Sequence, residues 1–83
     1  MKLTKLDNRD VYELDWSDEE GADELEGDVV HVKFSNADDV SVRDAIAAQQ
    51  SCTVTVPTGF AGDDDVVISD DSGHEVEGSV SFG

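Results

Sequence analysis

The sequence predicts an α+β domain: a small, mostly antiparallel β-sheet of about five strands, barrel-like or sandwich-like, with one α-helix near residues 42–50. Three observations predict it. Apolar and polar residues alternate with a period of two in four separate segments. A fifth segment breaks that alternation and opens with a capping box. Turn formers punctuate the joins, and nothing divides the 83 residues in two, so they read as a single domain, 1–83.

Residues 2–6 form a candidate first strand, and Asp7-Asn8-Arg9-Asp10 a turn. In the next segment Tyr12, Leu14 and Trp16 fall on one face, with Val11, Glu13 and Asp15 on the other. The acid-rich connection 17–28 follows, longer than a hairpin needs. Val30, Val32 and Phe34 then oppose Val29, His31 and Lys33. Ser41-Val42-Arg43-Asp44 fits a capping box, and Val42, Ala45, Ile46 and Gln49 recur at helical spacing. Cys52, Val54 and Val56 face inward from a strand that Pro57-Thr58-Gly59 ends. Residues 66–69 are a shorter strand. Asp70-Asp71-Ser72-Gly73 makes a tight connection to the last one, in which Val76, Val80 and Phe82 face inward.

Charge is the dominant compositional signal. Twenty-one Asp and Glu stand against five Lys and Arg, a formal net charge of -16, with 37% of residues hydrophobic. Disorder, nucleic-acid mimicry and adaptation to molar salt each produce such a balance. Patterned apolar residues argue against disorder. Near-absence of lysine (Lys2, Lys5, Lys33), and acids spread along the chain, argue for salt, where repulsion between carboxylates is screened within about 3 Å at 1 M. The composition resembles that of proteins from extreme halophiles. The expected location is the high-salt cytoplasm of a halophile, or a virion of a halophile virus. Met1-Lys2-Leu3-Thr4-Lys5-Leu6 leads into no secretory h-region, and no apolar run is long enough to span a membrane. Direct nucleic-acid binding is not expected of so acidic a chain.

Site chemistry is sparse. Neither acidic loop fits an EF-hand template: placing Gly21 at position six puts Trp16 at one and Gly27 at twelve, and placing Gly73 there puts Ile68 and Ser79. Asp63, Asp65, Asp70 and Asp71 are the candidates for an irregular oxygen site or for weak non-specific cation binding, if their loops meet. His31, His74 and Cys52 occur at no metal-ligand spacing. Cys52 excludes an intramolecular disulfide and is expected inward as a small hydrophobe. No nucleophile elbow, phosphate loop or dinucleotide fingerprint occurs, so no enzymatic activity and no cofactor are expected.

The remaining candidates are contact residues. Phe60 sits between two glycines, in Pro57-Thr58-Gly59-Phe60, where patterning gives it no core face. It is either folded back or a knob for a partner. Asp18, Glu19 and Glu20 belong to the acidic connection. Open sheet edges would invite strand addition. These features suggest a non-enzymatic structural or interaction protein adapted to high salt, a small subunit of a larger assembly. A virion accessory protein (capsid decoration or connector) is one such role; the partner would be another protein or the chain itself. The stretch Ser41-Val42-Arg43-Asp44-Ala45-Ile46-Ala47-Ala48 also resembles the helix start of β-grasp, ubiquitin-like sulfur carriers. That resemblance implies a carrier acting through C-terminal Gly83. An acidic nucleic-acid mimic is the other alternative.

Overall fold

A computed structural model describes residues 1–6, 10–36, 39–57 and 62–82. They form strands β1 (Lys2–Lys5), β2 (Val11–Asp15), β3 (His31–Phe34), β4 (Ser41–Ile46), β5 (Ser51–Thr55), β6 (Asp63–Ser69) and β7 (Glu75–Ser81). All pairings are antiparallel, in a four-stranded sheet ordered β1-β2-β5-β4 and a three-stranded sheet ordered β3-β6-β7. The sheet edges meet in pairs. β1 lies beside β7, and β3 beside β4, where the Val30 amide donates to the Ala45 carbonyl at 2.9 Å. The result is a two-layer β-structure whose sheets approach at the edges without a ladder joining them.

Alternation explains the interior. Leu14, Cys52 and Val54 from one sheet meet Val66, Ile68, Val76 and Val80 from the other in one core. Trp16 is fully buried just past β2, and its Nε1 has no hydrogen-bond partner among the described residues. An aromatic group bridges the sheets: the Phe82 ring centroid lies 5.9 Å from Tyr12, edge-on, and 5.9 Å from Phe34.

The expected α+β class is wrong, because the helix near 42–50 does not form. Ser41–Ile46 is a strand paired with β5, and only Ala47–Gln49 makes a single 3-10 turn. Among the described residues no helix reaches seven residues. The misleading feature is a β-bulge. The register slips between Arg43 and Ile46, and Asp44 adopts φ 57°. One extra residue therefore separates Val42 from Ala45, so both face the core from a strand. With that residue set aside, Val40, Val42, Ala45 and Ala47 alternate normally. The 42-to-45 spacing imitates a helix, and Ser41 caps nothing. With the helix gone, the β-grasp resemblance loses the residues that carried it; Gly83 lies outside the described residues. β6 also begins earlier than expected, so Asp63, Asp64 and Asp65 are strand residues rather than a loop.

The connection 17–28 covers one end of the core. The amides of Glu19, Ala22 and Glu24 donate to the carbonyls of Trp16, Glu19 and Gly21 in turn, making a compact chain of turns around the 3-10 segment Ala22–Glu24. Ala22 and Leu25 are thereby buried in the common core. Its length is explained: two apolar residues must be carried across the open end between Trp16 and Val30.

Candidate functional site

The chemically versatile side chains are engaged in holding the fold. Burial pushes the Cys52 thiol up to about 12, with Glu13 adding to the effect, so its nucleophilic thiolate is suppressed. Asp70, at the start of the β6–β7 turn, accepts hydrogen bonds from the amides of Glu26 (2.7 Å), Ser72 (2.9 Å) and His74 (2.9 Å). Its Oδ2 also lies 2.9 Å from His74 Nδ1. Burial opposes the Asp70 charge, but these donors outweigh it and hold the carboxyl well below its ordinary 3.8. Asp70 in turn raises His74 above 6.5 against the ring's own burial, with Glu26 and Glu24 contributing. His31 reaches the same turn from β3, with Nε2 3.1 Å from Asp71 Oδ1, both side chains exposed.

The structure separates the four carboxylates considered for a cation. Asp63 and Asp65 lie at the start of β6 and Asp70 and Asp71 beyond its end, so Asp63 and Asp70 are about 23 Å apart at 3.3 Å per residue. Among the described residues, no three His, Cys, Asp or Glu side chains are grouped as metal ligands would be. Sequence reasoning missed Asp64, which is buried. Its carboxylate accepts from the Asn36 amide (3.0 Å), Asn36 Nδ2 (3.0 Å) and the Asp65 amide (2.8 Å), tying the segment after β3 to β6. The signal was present: Asp64 is in phase with Val66 and Ile68.

Of the contact candidates, Gly59 and Phe60 lie outside the described residues. Pro57 is half-buried after β5. Asp18 and Glu20 are exposed, whereas Glu19 pairs with the Met1 ammonium. The outer face of the β3-β6-β7 sheet is strongly acidic, with Asp63, Asp65, Glu75 and Glu77 against Lys33 and His31. An open depression of about 520 Å³ lies there, lined by Val67, Asp65, Glu77, Ser35 and Ser79 among others.

The other outer face differs in kind. Register places Lys2, Asp15, Ser51 and Ile46 in one row across β1-β2-β5-β4, and Thr4, Glu13, Thr53 and Arg43 in the next. The Leu6 amide donates to the Val11 carbonyl at 2.9 Å, extending the pairing into a third row of Leu6, Val11, Thr55 and Ser41. These twelve positions hold two acids and two bases. They carry no net charge in a chain of net charge -16, and the exposed bulge residue Asp44 of β4 adds one carboxylate beside Arg43. Five are Ser or Thr and three are aliphatic, including Leu6, which is 51% exposed. Sequence reasoning did not find this face, because its members come from four strands and only the pairing assembles them. No protein-family model, no curated protein and no solved structure matches the chain.

Proposed function

We propose that this chain is a non-enzymatic structural protein adapted to high salt, a small subunit of a larger protein assembly such as the accessory shell or connector of a virion. One observation carries the reading: the hydroxyl- and aliphatic-rich outer face of the β1-β2-β5-β4 sheet, where acids and bases nearly balance, on an otherwise strongly acidic molecule. Proteins of a saline interior are themselves acidic, so a contact between two of them needs a region where like charge does not meet like charge. Interfaces are depleted of charge at their centres for the same reason. Two further observations support it. The Cys52 thiol is buried with its pKa raised, and Asp70 and His74 are occupied with each other and with backbone amides.

The test is the mass of the native particle. Isolated from its source in molar salt, the 8.9 kDa chain is expected in a complex of fixed composition by light scattering and native mass spectrometry. Recovery as a solitary monomer that co-purifies with nothing overturns the proposal.

A further inference from the structure

We propose that β7 is a pairing edge, to which β7 of a second copy adds antiparallel about a two-fold axis beside Gly78. The two three-stranded sheets then run on as one. This contact lies on a different surface from the face that carries the assembly reading above, and does not depend on it.

Three of the edge strands carry features that discourage pairing. β1 is four residues long and bears Lys2 and Lys5, and β4 is broken by the bulge at Asp44. β3 is also four residues long, holds Lys33, and continues from Val30, whose amide is taken by Ala45. β7 has none of these. It runs seven residues in unbroken register with β6, without proline or lysine, and β1 lies beside it without a ladder. Hydrogen bonds fix which of its backbone groups are free. The Asp70 amide donates to the His74 carbonyl at 3.1 Å and the Phe82 amide to the Gly62 carbonyl at 2.9 Å, bracketing the ladder in one phase. Across β6, the Ser35 amide donates to the Asp65 carbonyl at 3.0 Å, which agrees with that phase. Antiparallel pairing alternates, so Val76, Gly78 and Val80 bond to β6. Glu75, Glu77, Ser79 and Ser81 turn their amides and carbonyls outward, and among the described residues nothing pairs with them there.

The residues of the strand then select its partner. Glu75-Val76-Glu77-Gly78-Ser79-Val80-Ser81, set antiparallel against itself about Gly78, places Glu75 opposite Ser81 and Glu77 opposite Ser79 of the second copy. Val76 falls opposite Val80, on the buried face. Every carboxylate meets a hydroxyl that can donate to it, and each Glu–Ser pair also exchanges two backbone bonds, about eight in all. Centring on Glu77 would oppose Glu77 to itself, and centring on Val76 would oppose Glu75 to Glu77. Centring on Ser79 leaves Glu75 and Val76 outside the overlap. Overlap and charge therefore agree on one register. The nearest like charges are Glu77 and its counterpart, on a diagonal about 7–8 Å long. Molar salt, with a Debye length of about 3 Å, screens that pair and the mutual repulsion of two chains of net charge -16. A single strand edge is a small contact, so the dimer is weak, and main-chain bonds rather than buried area hold it.

Sedimentation equilibrium and amide hydrogen exchange of the purified full chain test this together. The wild type is expected to dimerise reversibly at about 3 M KCl and to dissociate at about 0.1 M. The Glu77 and Ser79 amides should gain at least about tenfold protection as the dimer forms, whereas stacking of sheet faces would leave them unchanged. Ser79→Pro removes an outward amide without touching the β6 ladder, and should weaken the dimer at least about tenfold. Ser79→Glu sets a carboxylate against Glu77 of the second copy and should weaken it by a similar factor. Ser79→Lys should strengthen it, which guards against misfolding as the cause. Thr55→Glu adds a charge to the other sheet and should leave it unchanged. A monomer at every concentration and salt overturns the inference. So does a dimer in which the Glu77 and Ser79 amides exchange freely, weakening by Ser79→Lys, or equal weakening by Ser79→Glu and Thr55→Glu. Each of these results leaves the assembly reading standing if the native complex is still recovered.

Discussion

Asp70 ties two separate segments of the chain together. Its two oxygens close the β6–β7 turn through Ser72 and His74, and hold the connection 17–28 through Glu26. Because the interaction needs a charged carboxylate, its contribution to stability is present above pH 3.8 and is lost as pH falls toward the lowered pKa of the folded state. His74 behaves in the opposite sense. Its contribution is complete below pH 6.5 and is lost as pH rises through the raised folded value. The stability difference between wild type and His74→Gln, measured by denaturant unfolding at fixed salt, should therefore be constant between pH 3.8, where Asp70 is charged, and pH 6.5, and shrink above it. A difference that grows with pH would contradict this pairing. Asp70 and His74 are four residues apart in a turn that the sequence reveals, yet their connection to Glu26, 44 positions away, follows only from the packed connection.

At the scale of elements, the bulge in β4 makes the sharpest prediction. Asp44 holds φ 57°, where an L side chain is strained and a β-branched one most of all. Asp44→Val should destabilise the domain by about 1–2 kcal/mol, and Asp44→Gly should be neutral or slightly stabilising. Denaturant unfolding of both variants would decide; a helix at this position would reverse the order, because glycine is the poorer helix former of the two. The same bulge shows why some elements were legible and one was not. Val54 between Cys52 and Val56, or Val66 before Ile68, declare a strand because the period of two is a local property. A single inserted residue converts the period of two into a gap of three between Val42 and Ala45, and only the partner strand reveals the insertion. The contact face is hidden for a related reason. Glu13, Thr53 and Arg43 are scattered along the chain, and strand order, not sequence distance, makes them neighbours.

For the whole molecule, charge sets the conditions of stability. At net -16, compaction gathers carboxylates that the unfolded chain keeps apart, and the small core has limited burial to oppose their repulsion. The melting temperature is expected to rise steadily as KCl goes from about 0.1 M to about 3 M, where the Debye length shrinks from about 10 Å to below 3 Å. A flat or falling profile would remove the case for salt adaptation.

The corner where β1 meets β7 has a kinetic consequence. The first strand of the chain flanks the last, and β2 pairs with β5 across both the acidic connection and β3 and β4. The β1–β2 and β4–β5 hairpins join neighbours in sequence, but the layers close only late, since β3 awaits β6 and β1 lies beside β7. Such non-local closure places folding in the millisecond-to-second range of β-topologies. During that interval the exposed strands would be prone to stick to one another. The same dense negative charge that strains the finished molecule holds unfinished copies apart until the final strand arrives.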